Sequence, residues 1–257
     1  MSTPLNRTLP DAVIEVCGLG VAAGSRVVQQ GLTFEVRRGE VLAIAGPSGC
    51  GKSTLLRHLA GLERPVAGQV LCDGRDLHRG SDDEQAVLRR RMGVMFQAGA
   101  LWSSMSVGEN LMLPLRLFTL LPRDERERQA RFKLALVGLD GAFDLRPAQL
   151  SGGMRKRAAL ARALVLDPEV LLLDEPGSGL DPPNAARLDE LVAHSRRHLG
   201  TTVVMVSHTM DSVFAIADRL LFLDESTRTM TALGPPQELL ATGPPEVRAF
   251  LRHGGRT

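Results

Sequence analysis

The stretch GPSGCGKS, Gly46 to Ser53, limits what this chain can fold into more than any other. It fits the pattern G-x-x-x-x-G-K-[ST] and lies between an apolar, β-prone run (VLAIA) and a helix-forming run (TLLRHLAGL), the setting the pattern requires. Its glycines permit a tight loop whose N–H groups surround phosphate oxygens. Lys52 is then expected to reach the outer phosphates, and the Ser53 hydroxyl to ligate Mg²⁺. The competing reading, a glycine-rich turn without a ligand, leaves the strand before it and the helix after it unexplained.

The rest of the chain suits such a loop. After Gly46–Ser53, the runs EVLLLDEP, TTVVMVSH and RLLFLDE read as short, continuously apolar strands, separated by helical stretches at 184–199 and 211–217. Strands of this kind alternating with helices imply a parallel sheet covered on both faces. Before the loop, VIEVCGLGV and LTFEVRRGE read as two short strands meeting at turns, and GQVLCDGRDL as a strand and turn. RRMGVMFQ is a further strand, after which residues 98–167 turn mainly helical. The expectation is an α/β fold built on a P-loop core. It has a mostly parallel sheet, a small antiparallel β part, a helical insertion of about 98–167, one domain over 11–247, and tails at 1–10 and 248–257.

Composition sets the outer bounds. The 257 residues are enough to bury a substantial core, and 44% hydrophobic with 23% charged residues is ordinary for a globular chain. A net charge of +2 and the lack of a long coiled-coil insertion argue against nucleic acid as a partner. Cys17, Cys50 and Cys72 show neither paired nor metal-ligand spacing, which fits a reducing compartment. The opening MSTPLNRTLPDAV has no apolar core of a secretory signal, and no apolar run approaches the ~20 residues that span a bilayer. A cytosolic chain that reaches a membrane only through a partner is expected.

Further motifs carry chemistry. VLLLDEP ends an apolar strand in Asp174, placed to hold Mg²⁺, and Glu175, placed to orient or polarise an attacking water. A strand ending in two acids is weak alone and strong after a phosphate loop. LSGGMRKRAALARAL places Ser151 as an N-cap with Gly152 and Gly153 behind it, so bare N–H groups stand at the positive end of a helix. That is a second anion site in one chain. His208 ends another strand at the same edge, where a structural histidine is the bland reading and a γ-phosphate contact the favoured one. Gln97 is either a plain loop amide or a hinge residue that senses Mg²⁺ or water. Asp181 in GSGLDP is placed to cap the next helical stretch. His194 and His198 mimic a metal pair at helical spacing, but the charged HSRRH and the missing third ligand favour a solvated face.

Taken in this order, the motifs resemble the ATP-binding cassette family, and the match covers nearly the whole chain. The resemblance implies ATP bound by Gly46, Pro47, Ser48, Gly49, Cys50, Gly51, Lys52, Ser53 and Thr54. It implies Mg²⁺ held by Ser53, Gln97 and Asp174, and catalysis by Glu175, His208 and Gln97. It also gives the second anion site a purpose. In this family two subunits face head to tail, so Ser151, Gly152, Gly153 and Met154 would serve the nucleotide on the partner subunit, while Asp181 falls in the family's SGLD loop. Two departures stand out. Met154 occupies the place of the family's usual Gln, and Val21 that of the usual adenine-stacking aromatic, in a chain with no Tyr.

The segments FQAGALWSSMSVGENLMLPLR and LSGGMRKRAALARAL, with PPEVRAFLRHGG near the end, are similar to the ATPases of bacterial phospholipid transporters that work with mammalian-cell-entry (MCE) proteins. That implies a homodimer at the cytoplasmic face of the inner membrane, joined to separate permease subunits and an MCE lipid-binding protein. Two alternatives stay open: the ATPase of an importer for another solute such as an amino acid, and a soluble cassette protein outside transport. Leu101, Trp102 and Met105 follow Gln97 directly. Leu101 is balanced between core filling and contact, and Trp102 beside Ser103 and Ser104 reads as an exposed anchor for a permease helix.

Overall fold

Strands whose odd and even residues are both apolar have to be covered on two sides, and that requirement organises the chain. The computed structural model describes residues 12–253. In chain order, β1 (Ala12–Ala23), β2 (Arg26–Arg37) and β3 (Val41–Ala45) precede α1 (Lys52–Leu59). They are followed by β4 (Ala67–Cys72), β5 (Arg75–Asp76), α2 (Asp82–Arg90) and β6 (Met92–Met95). Helices α3 (Val107–Phe118), α4 (Arg123–Leu136) and α5 (Gly152–Ala163) come next. The chain then runs through β7 (Val170–Asp174), α6 (Pro182–Leu199), β8 (Thr202–Val206), α7 (Met210–Ile216) and β9 (Arg219–Leu223). It closes with β10 (Met230–Gly234), α8 (Pro236–Thr242) and α9 (Pro245–His253).

Two sheets result. The larger has the order β10-β9-β3-β8-β7-β6, parallel throughout except for the antiparallel edge strand β10. The smaller, β2-β1-β4-β5, is antiparallel. Alternation along the large sheet is strict. Leu42, Ile44, Leu172, Val204 and Leu221 face α1 and the small sheet, while Ala43, Leu171, Met205, Leu220 and Phe222 face the helices on the other side. A one-residue slip of any strand would exchange the two sets, so burial fixes the register.

The helical part carries a third core. On α3, Val107, Leu111 and Leu115 recur at helical spacing and pack on Ala130 and Leu134 of α4 and on Ala158 and Ala161 of α5. Ser106 and Glu109 form a capping box that starts α3. The loop before it is tied down by the buried amide of Asn110, which accepts from the Trp102 N–H (2.7 Å) and donates to the carbonyls of Trp102, Met105 and Ser106.

Some boundaries differ from the sequence reading. The two short strands expected near the start are one long hairpin, β1 and β2, turned at Gly24–Ser25, where Gly24 takes φ +61°. The helical region begins at Val107 rather than at 98, because 98–106 is loop. The tail expected from 248 starts inside α9, where Leu251 is buried and the Phe250 ring meets that of Phe222 edge-on at 5.1 Å. Apolar area on that helix outweighs the polar flank that suggested a tail. The other expected tail, 1–10, lies outside the described residues.

Candidate functional site

Parallel strands all end at one edge, and loops leaving the carboxyl ends of such strands form the natural crevice of an α/β sheet. Loop 46–51 leaves β3 there, Gln97 follows β6, Asp174 and Glu175 end β7, and His208 follows β8. At Gly46 (φ +146°) a Cβ would stand 2.2 Å from the Leu223 carbonyl oxygen, so only glycine lets the loop leave the sheet. Gly51 (φ +97°) caps α1, where a Cβ would stand 2.8 Å from Val28 Cγ2. No side chain caps α1, so its first N–H groups point into the loop as anion donors. Lys52 bends over this loop and donates to the Gly46 (2.8 Å) and Pro47 (2.7 Å) carbonyls. Pro47, Ser48 and Gly49 form the loop's outer turn, with Ser48 and Gly49 exposed; Cys50 is buried beneath it and Thr54 lies in the first turn of α1.

Ser53 Oγ donates to Asp174 Oδ1 at 2.8 Å. Asp174 is only 5% exposed, and burial pushes its carboxyl above the ordinary value, partly offset by the Ser53 hydrogen bond. Among the described residues no cluster of three His, Cys, Asp or Glu could hold a metal by itself. A hydroxyl beside one carboxylate nevertheless fits Mg²⁺, which keeps waters and phosphate oxygens among its ligands. Glu175 lies next to this pair with its side chain 18% exposed. Gln97 Nε2 donates to its Oε2 (2.9 Å), and His208 Nδ1 lies 3.2 Å from its Oε1. Gln97, Asp174, Glu175 and His208 are thus gathered as the sequence reading anticipated. A hydroxyl-centred turn shapes the His208 loop, since Ser207 Oγ accepts from the Thr209 N–H (3.1 Å).

The signature stretch lies elsewhere in the chain's own surface. Ser151 caps α5 by accepting from the Met154 N–H (3.2 Å), and Ser151 and Gly152 are exposed. A Cβ on Gly153 would meet Asn184 at 3.3 Å, and Met154 packs on the helical core. Asp181 caps α6 by accepting from the Asn184 N–H (2.9 Å), as expected. Among the described residues the Ser151 side chain bonds only within its own helix turn and does not reach the phosphate loop of the same chain.

Other expectations sort cleanly. Val21 is fully buried in β1, so it offers no face to a nucleotide base. His194 and His198 are stacked on each other (4.0 Å between rings), and no metal cluster forms around them among the described residues. Trp102 is 59% exposed, while Leu101 packs partly on the helical core and Met105 lines a groove with Met112 and Leu113. Cys17, Cys50 and Cys72 are all free thiols. Two residues escaped the sequence reading. Gln29, fully buried in β2, braces the loop by donating to the Cys50 (2.7 Å) and Asp224 (3.0 Å) carbonyls. Lys156 on α5 donates to the carbonyls of Gln97 (2.5 Å) and Glu175 (3.1 Å), and burial lowers its pKa. The only signal for Lys156 was its rarity: the chain has lysine only at 52, 133 and 156.

With this geometry in place, the sequence profile described as "ABC transporter" matches residues 29–178, more than half the chain. The chain belongs to the ABC transporter family. This ABC protein is 39% identical over 240 residues to the "Intermembrane phospholipid transport system ATP-binding protein MlaF" of Haemophilus influenzae, covering 93% of the chain and 90% of that protein. It is 42% identical over 238 residues to the "Probable ribonucleotide transport ATP-binding protein mkl" of Mycobacterium leprae, covering 93% of the chain and 68% of that protein. Among solved structures, the ATP-binding cassette MJ0796, described as a dimer in a post-hydrolysis state bound to ADP and Pi, superposes with a TM-score of 0.79 at 28% identity. That match covers 86% of this chain and 98% of the other. The chain is therefore an ATP-hydrolysing subunit of ABC type with a P-loop α/β fold. Among the described residues no helix is long and apolar enough to cross a membrane.

Proposed function

We propose that this chain is the ATPase of a transporter that moves phospholipid, working as a homodimer with separate permease subunits and an MCE lipid-binding protein. The observation that carries the catalytic part is the convergence on Glu175: Gln97 and His208 hold its two carboxylate oxygens beside the Ser53–Asp174 pair. Glu175 orients and polarises the water that attacks the γ-phosphate, Gln97 reports the state of that site to the helical part, and His208 contacts the γ-phosphate. The loop from Gly46 to Ser53 and Thr54 binds the phosphates of ATP, with Lys52 leaving its two loop carbonyls to reach the β- and γ-oxygens. Ser53, Asp174 and Gln97 would hold Mg²⁺, which neutralises charge on the phosphate oxygens when bound.

Ser151, Gly152, Gly153 and Met154, with Asp181, act on the partner subunit's nucleotide in this reading. Their position at the start of α5 and α6 supports it, as does the dimeric relative. The lipid assignment is supported by the MlaF relative, which the chain matches over 90% of its length. Extracting a lipid exposes methylenes to water at ~0.8 kcal/mol each, a load suited to an ATP-driven machine. With no helix fit to cross a membrane among the described residues, attachment at the cytoplasmic face of the inner membrane would run through the permease. A second reading, the ATPase for another solute, draws on the mkl relative, whose name refers to ribonucleotide transport. Two measurements test the proposal. Glu175→Gln should keep ATP binding and lower turnover by ~10²–10⁴-fold, the usual weight of a positioned base; turnover at the parental rate rejects the role of Glu175. Purifying the native complex should yield bound phospholipid and ATP-driven lipid transfer; a complex carrying another solute and no lipid favours the second reading.

A further inference from the structure

Glu175 has an unusual backbone. Its φ is +46°, a left-handed conformation that costs a non-glycine residue ~1–2 kcal/mol. Its N–H is secured by the Val206 carbonyl (3.0 Å), which continues the β7–β8 ladder. Its carbonyl is secured by a different part of the molecule, the Lys156 ammonium on α5 at 3.1 Å. The same ammonium donates to the Gln97 carbonyl at 2.5 Å. Gln97 and Glu175 are therefore joined twice, through their own side chains and through one shared cation on their backbones.

The loop after Gln97 lies on the same helix. Arg162 Nη1 donates to the Ala100 carbonyl (2.5 Å) and Nη2 to that of Gly99 (3.2 Å). A Cβ on Gly99 would stand 3.4 Å from Ala159 Cβ, so the loop backbone lies close against α5. The loop and α5 thus form one body, and Lys156 is its hydrogen-bonded link to the backbone of Glu175.

We propose that Lys156 is a positioning residue for hydrolysis: it holds the Glu175 backbone from the signature helix, so that the carboxylate faces Gln97 and His208 only while α5 is docked. This rests on the reading of Glu175 as the water-orienting group. Lysine suits the task because a compact ammonium with three donors can serve two carbonyls at once. Methionine at 156 keeps a comparable stem and abolishes both bonds.

The test is ATP turnover of the full-length chain against ATP concentration at saturating Mg²⁺. Lys156→Met should lower kcat about 30-fold, equivalent to ~2 kcal/mol, with KM for ATP within about twofold of the parent. Lys156→Arg, which can still donate to both carbonyls, should recover most of the lost kcat. If the Met variant does not fold, Lys156→Leu, which likewise has no donor, takes its place and should show the same loss confined to kcat. Glu175→Gln is measured in parallel. An inactive Glu175→Gln beside a Lys156→Met with parental kcat overturns the role of Lys156 alone. A fully active Glu175→Gln overturns the reading of Glu175 and this proposal with it. Loss of kcat, ATP binding and thermal stability together, without recovery by Arg, shows a lysine that merely holds the fold and also overturns it.

Discussion

Replacing Asp174 by Asn should make the protein more stable and less active. The carboxylate is 5% exposed at the end of β7, with one hydrogen bond from a protein side chain, Ser53 Oγ at 2.8 Å. An amide of the same shape keeps that bond, because its oxygen still accepts, and it removes a charge from a poorly hydrated position. Relief of this kind at a functional site is commonly worth ~0.5–2 kcal/mol, and for a chain of this size each kcal/mol moves Tm by about 2–4 °C. A rise of about 3 °C in EDTA is expected. The pH dependence has the sign of the shift. Burial raises the folded-state pKa of Asp174 above its ordinary 3.8, so the folded chain holds this proton more tightly than the unfolded chain does. The parent therefore loses stability relative to the Asn variant as pH rises from about 4 through the raised folded-state pKa, and the full gap stands above it.

Adding ATP and Mg²⁺ should reverse the order. The parent gains ~2.7 kcal/mol at a hundredfold excess over Kd, whereas the variant lacks the carboxylate proposed to hold the metal and should gain less. Differential scanning calorimetry in EDTA and in Mg²⁺ with ATP, with turnover measured on the same samples, reads all of this. An Asn variant that melts below the parent in EDTA at pH 8 would refute the reasoning, since the charge would then be supporting the fold. Equal stabilisation of both proteins by ATP and Mg²⁺ would refute the metal-holding role.

Three further outcomes are expected. Asn110→Ala strips four hydrogen bonds from the buried loop before α3 and should destabilise the chain by ~2–3 kcal/mol; chemical denaturation with a loss below ~1 kcal/mol would show that water replaces the amide. Mixing Lys52→Ala chains with Ser151→Arg chains should leave one intact composite site per mixed dimer, detectable as one retained nucleotide per dimer; none retained, with both variants folded, counts against a signature acting across subunits. Trp102→Ala, at a position 59% exposed, should shift stability by less than ~0.5 kcal/mol and leave ATP binding intact while weakening copurification with the permease; unchanged copurification removes Trp102 from that interface.

The sheet and the gathering of the phosphate-loop motif, Gln97, Asp174, Glu175 and His208 at its carboxyl edge were legible in the sequence because both depend on short-range pattern. Continuous apolar strands such as VLLLD and TVVMV state their own burial on two faces, and glycine spacing in 46–53 states its own loop. What escaped depends on partners far along the chain. Gln29 and Lys156 bond backbone carbonyls, which carry no residue identity, so nothing in the sequence marks the pairing. Helix α2 was missed because it is strongly polar and buries only Gln85 and Leu88, although Ser81 and Glu84 form a readable capping box. Strand β10, an antiparallel edge with every residue only partly covered, has no strong alternation to read. Helix α9 hid behind flanking prolines and charges, while its buried Val247 and Leu251 were visible only in packing.

Helix α5 is shared between two cores: Ala159, Leu160 and Ala163 pack toward the large sheet, and Ala158 and Ala161 toward α3 and α4. Most of these contacts are methyl groups. Branched side chains would interlock as teeth, and turning one layer against the other would then require every tooth to leave its socket together. A helix faced with methyls is closer to a smooth bearing, along which packed elements slide by small steps without repacking. Friction between the helical part and the sheet is thereby kept low, while the polar bond from Lys156 to the Glu175 carbonyl at the end of β7 decides at which angle the bearing comes to rest.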